Sequence, residues 1–389
     1  MPVRPVSSSL TLPLLLLSLP GCRDSTAPVP SDPRLYASVA VGAQHSCGVR
    51  RDGSLDCWGR GVGRAPVPLA PASTFRSAGV GVSTACGLAT DGRVHCWDTW
   101  DAGRSAGEAP DATVLDTDLR FADLAVGWGH MCGLTAAGDL YCWGANLYGA
   151  VGTGSTEAVV AVPTMVASDV TFTAVAAGVS HTCAIADGGE VWCWGETWSG
   201  AVGAPGGEMC GASPGRTCTR SPLRVAGGHR FRQMAAGGGH TCGIDESGEL
   251  LCWGLGHDGQ LGHAPTGLCG MTVADLACSP APTAVSGGLR WSAVSATSAR
   301  TCAVAEDGGA WCWGRGELGD GTWAGSAVPR SVDVDTRFAR IATGMDHSCG
   351  VGVDGVVWCW GMNTYGQIGD GSPSMGWPAP VAVRFFESG

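Results

Sequence analysis

The amino-acid sequence predicts an all-β protein, a seven-bladed β-propeller of four-stranded antiparallel blades. Three observations support this prediction. Seven cysteine pairs share a separation of ten residues, a glycine lies within each pair, and a tryptophan directly follows the second cysteine of each pair. The first cysteines advance along the chain by 39 to 60 residues, a period typical of propeller blades. The repeated pairs are Cys47 with Cys57, Cys86 with Cys96, Cys132 with Cys142, Cys183 with Cys193, Cys242 with Cys252, Cys302 with Cys312, and Cys349 with Cys359.

The segment between the cysteines of each pair is predicted to be a β-hairpin. In the first repeat Gly53 stands where a three-residue turn with a bulge needs a left-handed residue. If Arg50 and Ser54 are the hydrogen-bonded pair that closes this turn, Cys47 and Cys57 become a non-hydrogen-bonded pair. Their Cα atoms are then about 4.5 Å apart, close enough for a disulfide.

Two further strands complete each predicted blade. The strand before the hairpin consists of small and β-branched residues, which suit the crowded centre of a ring. The strand after it contains proline, as in Val162-Pro163, and proline is tolerated at an outer edge. The propeller is expected to cover residues 35–386, with 387–389 as a tail. The last strand, 380–385, is expected to pair into blade 1 and thereby close the ring.

The N-terminus has the pattern of an export signal. Residues 1–21 contain a short apolar segment, and Leu19-Pro20-Gly21-Cys22 resembles a bacterial lipobox. A lipobox implies cleavage before Cys22 and a lipid on its thiol, with 22–34 as a flexible linker. We therefore expect an exported lipoprotein of the bacterial outer membrane or cell surface, with its propeller in the periplasm or extracellular space. The alternative is an ordinary secretory signal in which Cys22 is incidental.

Apart from Cys22, all of the 19 cysteines can be assigned to pairs. Without the fourteen repeat cysteines and Cys22, two close pairs remain, Cys210 with Cys218 and Cys269 with Cys278. An even count in an exported protein predicts a disulfide framework, here seven cross-strand bridges and two loop bridges. The alternative is that the repeat cysteines are buried thiols. A metal site is not expected, because each pair lies on its own hairpin.

Composition narrows the functional classes. None of the 23 basic residues is a lysine, which excludes Schiff-base enzymes, P-loop NTPases and ordinary kinases. The net charge of −11 with scattered arginines argues against nucleic-acid binding. The sequence contains no Gly-x-Ser-x-Gly or His-Glu-x-x-His motif. We therefore predict a monomer without catalytic activity and without a cofactor.

Several motifs carry a family resemblance. The segments Gly178-Val-Ser-His-Thr-Cys183, Cys252-Trp-Gly-Leu-Gly-His-Asp-Gly-Gln-Leu-Gly262 and Tyr365-Gly-Gln-Ile-Gly369 resemble the regulator of chromosome condensation repeat family, over residues 35–386. The resemblance implies a seven-bladed propeller and leaves function open. Similar proteins include a guanine-nucleotide exchange factor, a plant ultraviolet photoreceptor, ubiquitin-ligase-associated domains and secreted β-lactamase inhibitors. Thr84 in blade 2 and Arg300 in blade 6 replace the motif's histidine.

The remaining histidines of this motif are expected to be structural, bonding a backbone carbonyl or the neighbouring blade. A binding surface is predicted instead on blades 4 and 5, whose loops 196–221 and 255–280 are enlarged and each carry one of the extra cysteine pairs. Ordered loops lose little entropy on binding. The candidate residues are Trp198, Met209, Arg216, Arg220, His257, Leu268 and Met271.

We expect this surface to bind a protein or a cell-envelope glycan. Two other functions stay open at this point. One is guanine-nucleotide exchange as in the family namesake, which requires a cytoplasmic GTPase. The other is inhibition of a secreted enzyme through the same loops.

Overall fold

The computed structural model describes residues 35–70, 72–98, 111–210, 216–270 and 276–385. Over these ranges the chain forms seven separate antiparallel sheets, one for each repeat, so the predicted all-β propeller is confirmed. The predicted signal, linker, Cys22 and tail lie outside the described residues. Within the ranges given above, no helix has the length and apolar character needed to cross a bilayer.

In each sheet the four strands of the repeat follow one another in chain order, from the axis of the ring outward. The innermost strands are β1 (Tyr36–Val41), β5 (Phe75–Val80), β9 (Phe121–Val126), β13 (Phe172–Ala177), β18 (Phe231–Ala236), β23 (Trp291–Thr297) and β27 (Phe338–Thr343). The second strands are β2 (His45–Arg50), β6 (Thr84–Ala89), β10 (His130–Thr135), β14 (His181–Ala186), β19 (His240–Asp245), β24 (Arg300–Ala305) and β28 (His347–Gly352).

The outer half of each sheet completes the blade. The third strands are β3 (Leu55–Gly59), β7 (Val94–Asp98), β11 (Leu140–Ala145), β15 (Val191–Glu196), β20 (Leu250–Leu255), β25 (Ala310–Gly314) and β29 (Val357–Met362). The outer strands are β4 (Gly63–Leu69), β8 (Thr113–Val114), β12 (Val159–Met165), β17 (Thr217–Arg224), β22 (Leu276–Ala284), β26 (Ser326–Ser331) and β30 (Gly376–Ala382).

Blades 4 and 5 each contain a fifth strand, so the prediction of four strands is wrong for these two. In the insertions, β16 (Glu208–Met209) pairs with β17, and β21 (Gly267–Cys269) pairs with β22. The enlarged loops thus fold back as short hairpins on the outer strands. The backbone of each insertion thereby satisfies part of its hydrogen bonding.

The predicted closure of the ring is also wrong. Strand β30 pairs with β29 in its own blade, with Val381 opposite Cys359, and blade 1 has its own outer strand in β4. The seam between blades 7 and 1 is held instead by contacts such as the hydrogen bond from Trp58 Nε1 to the Gln367 carbonyl, 2.9 Å. Other blade boundaries have the same tryptophan-to-carbonyl hydrogen bond. Blades 7 and 1 are therefore joined as other neighbouring blades are, without a strand shared between them.

The core lies between blades rather than inside one sheet. An aromatic residue at the start of each inner strand packs against the tryptophan after the second cysteine of the same blade, as Phe231 does against Trp253 with centroids 5.8 Å apart. One cluster joins Ile244 and Leu250 of blade 5 with Trp291 and Trp313 of blade 6. Burial of these large rings between neighbouring sheets stabilises the ring as a whole.

The seven predicted cross-strand disulfides are confirmed, one in each blade. Each bridge joins directly opposed residues of the second and third strands, with Cα atoms 4.0 to 4.1 Å apart. The alternative of buried free thiols is thus wrong for these cysteines. In chain order the bridges join Cys47 to Cys57, Cys86 to Cys96, Cys132 to Cys142, Cys183 to Cys193, Cys242 to Cys252, Cys302 to Cys312, and Cys349 to Cys359.

The two predicted loop disulfides are present as well. Cys210 is bridged to Cys218 and Cys269 to Cys278, with Cα separations of 5.8 and 5.7 Å. The first bridge connects β17 to the residue after β16, and the second connects β21 to β22. Each bridge therefore fastens the added strand of its insertion to the outer strand of the blade.

The alternating strands give the ring two distinct faces. We call the hairpin face the one that carries the turns between second and third strands, and the loop face the opposite one. The loop face carries the turns between first and second strands and the loops between third and outer strands. The insertions of blades 4 and 5 therefore both lie on the loop face.

Candidate functional site

The two insertions on the loop face contact each other directly. Gly200, in the loop after β15, packs on the disulfide of blade 5, and a Cβ atom placed there would lie 2.8 Å from Cys269 Sγ. Gly200 also has a positive φ of 78°, which favours glycine. The insertions of blades 4 and 5 are thus packed against each other at this contact.

Trp198 lies near the start of the blade 4 insertion. Its ring contacts Tyr148 of the blade 3 loop in a T-shaped arrangement, with centroids 4.8 Å apart. The Arg216 guanidinium lies over the same indole, 4.4 Å from its centroid. The structure therefore brings together Trp198 and Arg216, as predicted, and adds Tyr148. Sequence reasoning missed Tyr148 because it belongs to the loop of another blade.

The hairpin formed by β16 and β17 presents polar and apolar side chains together. Arg220 forms an ion pair with Glu208 across the hairpin. Met209 is 59% exposed at the tip. The blade 3 loop contacts this hairpin, because Gly154 donates its N–H to the Arg220 carbonyl at 2.9 Å. Met209 and Arg220 thus lie on a hairpin that is fastened by an internal ion pair and by a hydrogen bond to the blade 3 loop.

The candidate residues of blade 5 are more dispersed. Leu268, on β21, is 65% exposed. His257 lies 3.1 Å from the Asp258 carboxylate, in the loop that packs towards blade 6. The contacts between described residues do not join His257 to the blade 4 group. Met271 lies outside the described residues, so its prediction stays a prediction.

A buried acid lies at the base of the blade 4 insertion. Glu196 is fully enclosed, and its carboxylate accepts hydrogen bonds from the Ser199 hydroxyl and from the Ser199 N–H at 3.3 Å. It pairs in register with Cys218 of the outer strand. Burial raises the pKa of Glu196 to about 7, since a carboxylate charge is disfavoured without water. Sequence reasoning missed Glu196 because no motif surrounds it.

One grouping in the described residues has the spacing of metal ligands. The Glu208 carboxylate and the sulfurs of Cys210 and Cys218 lie within 4.8 Å of one another. The two sulfurs form a disulfide and therefore offer no thiolate, the form of cysteine that binds metals.

The motif histidines form a repeated contact between blades, which we call the inter-blade relay. His181 Nε2 lies 3.0 Å from the Thr241 hydroxyl of the next blade. That hydroxyl donates to the Ala201 carbonyl at 2.9 Å, and Trp253 Nε1 donates to the same carbonyl at 2.8 Å. The structural role expected for the histidines is thereby confirmed.

The relay fixes the tautomer of its histidines. Because the single hydroxyl proton of Thr241 goes to the carbonyl, His181 must donate from Nε2, which leaves Nδ1 unprotonated. His181 Nδ1 is buried and has no partner among the described residues. Burial lowers the pKa of His181 to about 3, since a second ring proton would have neither water nor an acceptor.

Comparison with known families agrees with the repeats. The regulator of chromosome condensation (RCC1) repeat matches residues 137–185 and 354–389. A second model of the same repeat matches 36–62, 121–150, 231–260 and 338–367.

Curated relatives cover only part of this chain. The human E3 ubiquitin-protein ligase HERC2 is 31% identical over 185 residues, which are 44% of this chain and 3% of that protein. The ultraviolet-B receptor UVR8 of Arabidopsis thaliana is 30% identical over 147 residues, 38% of this chain and 30% of the receptor. The chain thus spans less than a third of the length of either relative.

Solved structures share the fold over most of the ring. Yeast RCC1 (Prp20), solved bound to Kap60, superposes with a TM-score of 0.68 at 19% identity and covers 82% of this chain and 80% of its own. Human WBSCR16 gives a TM-score of 0.69 at 21% identity over 83% and 84%. Such identities concern the fold alone. The chain therefore carries RCC1 repeats at the matched residues, within a ring of seven repeats that resembles these structures in fold.

Proposed function

We propose that the protein is an exported, lipid-anchored scaffold that binds a partner protein through the loop face of blades 4 and 5, without catalysis. The single observation that carries the proposal is the pair of mutually packed, disulfide-bridged insertions. They hold the exposed side chains of Met209 and Leu268 in place before any partner arrives. Pre-ordered loops lose less conformational entropy on binding.

The nine disulfides support export. Disulfides persist in oxidising compartments and are rare in the cytosol of ordinary cells. The same bridges argue against guanine-nucleotide exchange, because that activity would require a cytoplasmic GTPase.

The first described residues of the ring lie on the hairpin face. Leu35 accepts a hydrogen bond from Arg51 N, and Tyr36 N donates to the Gly355 carbonyl, both at 2.9 Å. Arg51 and Gly355 belong to turns of the hairpin face. The insertions lie on the opposite face, the loop face.

The surroundings of Trp198 favour a protein over a glycan as the partner. Stacking on a sugar requires an open aromatic face, whereas this indole is only partly exposed and already contacts Tyr148 and Arg216. Apolar side chains such as Met209, beside arginines, are typical of protein interfaces.

Site-specific photo-crosslinking in the native host tests this proposal. A photoreactive residue replaces Met209 or Leu268 on the loop face, and a control replaces the equally exposed Val353 on the hairpin face. We expect a discrete crosslinked protein from the first two positions and none from Val353. The band should weaken when Trp198→Ala is added. Equal crosslinking from both faces, or none from Met209 and Leu268, would contradict the proposal.

A further inference from the structure

The seam between blades 7 and 1 differs from the other six in its chain connection. At those six, a short connector leads from the end of an outer strand to the aromatic residue that begins the next inner strand. An apolar residue at the end of the outer strand and this aromatic residue are six positions apart. The pairs are Leu69 with Phe75, Leu115 with Phe121, Val166 with Phe172, Val225 with Phe231, Val285 with Trp291, and Val332 with Phe338. No such connector leads from β30 into β1, because β1 is the first strand of the ring and β30 the last.

Residues 383–385 nevertheless leave β30 along the path of a connector. The Val383 N–H donates to the Val357 carbonyl at 2.9 Å. The Arg384 N–H donates to the Gly369 carbonyl at 3.0 Å. Each of the connectors that follow blades 3, 4, 5 and 6 begins with the same two hydrogen bonds. The segment after blade 7 is therefore directed towards blade 1 as a connector would be.

Phe385 contacts blade 1 at the end of this path. Its ring stacks on Tyr36, with centroids 5.9 Å apart and planes 17° from parallel. The Arg50 guanidinium lies over the same ring, 4.9 Å from its centroid. Phe385 also packs on the core cluster of this seam, which includes Trp58 of blade 1 and Val357 of blade 7. Two side chains of blade 1 thus hold a residue that follows blade 7.

Blade 1 has three residues around Phe385 that the other blades lack. Tyr36 stands where the other inner strands begin with phenylalanine or tryptophan. The position of Arg50 is alanine, threonine, aspartate or glycine in the other blades, and that of Asp56 is aromatic, histidine or leucine. The buried Asp56 carboxylate accepts from the Tyr36 hydroxyl at 2.8 Å and forms an ion pair with Arg50. Since a buried ion pair contributes little net stability, its effect here is to orient the two side chains that contact Phe385.

We propose that residues 383–385 form a non-covalent clasp that closes the ring, with Phe385 as the residue held by blade 1. Because no connector ties this clasp to blade 1, the seam between blades 7 and 1 opens before the other six. The nine disulfides do not hold this seam, since each joins two residues of one blade. Local opening of this kind starts where the fewest constraints must be released.

Backbone amides that donate across a seam report its opening through hydrogen exchange. At the seam of blades 7 and 1 they belong to Tyr36 and Met345, which donate to carbonyls of the facing blade. At the seam of blades 5 and 6 the equivalent donors are Trp291 and Gly238. Exchange is measured by mass spectrometry at single-residue resolution, on the purified propeller with its disulfides intact.

Removing the aromatic ring of the clasp should open its seam alone. In Phe385→Ala we expect the amides of Tyr36 and Met345 to exchange at least about tenfold faster than in wild type. The amides of Trp291 and Gly238 should keep their rates. Phe385→Tyr retains the ring and should behave as wild type.

Leu289→Ala is the matched control at a seam with a connector. Leu289 lies between blades 5 and 6 and packs on the core cluster that contains Trp291. Because the connector stays intact in this variant, exchange of the Trp291 and Gly238 amides should rise far less than exchange at the clasp does in Phe385→Ala.

Three results would overturn the assignment. They are equal exchange of Tyr36 and Met345 in Phe385→Ala and wild type, equal acceleration at both seams, or opening in Leu289→Ala as large as in Phe385→Ala. If the alanine variant fails to fold, Phe385→Leu keeps most of the apolar area and should show the same selective acceleration, at least about threefold. The measurement involves neither a partner nor the lipid, so its outcome is independent of the crosslinking experiment.

Discussion

His240 Nε2 lies 2.8 Å from the hydroxyl oxygen of Thr301 in the next blade. The Thr301 hydroxyl donates to the Gln260 carbonyl at 2.9 Å, so the histidine must be the donor in the first contact. The same relay occurs at His130 and Thr182, at 2.7 Å. Polar contacts of one kind thus connect blades that share no strand.

Removing the hydroxyl of the relay should destabilise the ring. Thr301→Val keeps the shape but leaves the His240 N–H without an acceptor, and we expect a loss of about 1 to 3 kcal/mol in the free energy of unfolding. Urea denaturation with the disulfides intact measures this loss. Thr301→Ser keeps the hydroxyl and serves as the control. Equal stability of the valine variant and the wild type would show that the relay contributes nothing.

The buried histidines predict acid lability. Burial lowers the pKa of His130 and His240 to about 4, and of His181 and His347 to about 3. Below pH 6.5 the unfolded chain binds protons that the folded ring does not, so stability falls as the pH drops towards 4. Each histidine contributes on the order of 3 kcal/mol to this loss. Urea midpoints that stay level or rise between pH 7 and pH 4.5 would contradict this expectation.

Glu196 has the opposite pH dependence. Because burial raises its folded pKa from 4.5 to about 7, its contribution is complete below pH 4.5 and is lost as the pH rises towards 7. Glu196→Gln removes this loss, so the stability of the variant relative to wild type should increase by about 3 kcal/mol between pH 4.5 and pH 7. The exposed Glu249→Gln is the control and should follow wild type at each pH. A constant difference between Glu196→Gln and wild type would refute the assignment.

The glycine before each motif histidine is required by close approach of neighbouring blades. A Cβ atom on Gly178 would lie 2.6 Å from the Gly237 carbonyl oxygen and 2.8 Å from His181 Cε1. Gly178→Ala should therefore cost about 2 to 3 kcal/mol in the free energy of unfolding. In Gly267→Ala the nearest atom, Pro280 Cδ, is 3.8 Å away, and the change should stay within about 0.5 kcal/mol. Similar thermal midpoints for the two variants would argue against tight packing at the axis.

Local features of the fold could be predicted from the sequence because they depend on short stretches of chain. Gly53 has φ +85°, and Arg50 N donates to the Ser54 carbonyl at 2.8 Å, which is the register expected from the turn. Closure of the ring could not be predicted, because β4 carries its prolines close after the hairpin of blade 1. The sequence pattern therefore does not reveal this outer strand, and it leaves blade 1 in apparent need of a strand from the C-terminus.

The candidate site shows the same limit. Trp198 and Arg216 belong to one insertion and were predicted together. The contact of Trp198 with Tyr148 joins two blades across 50 residues of chain, and the register between blades, which determines it, is not encoded by any local motif.

The measurement that tests the central claim most directly is the intact mass of the natively expressed protein after alkylation without reducing agent. An exported, disulfide-bridged lipoprotein predicts no alkylated thiol and a chain that begins at a lipid-modified Cys22. Fourteen or more alkylated thiols on an unprocessed chain would contradict both export and the disulfide framework.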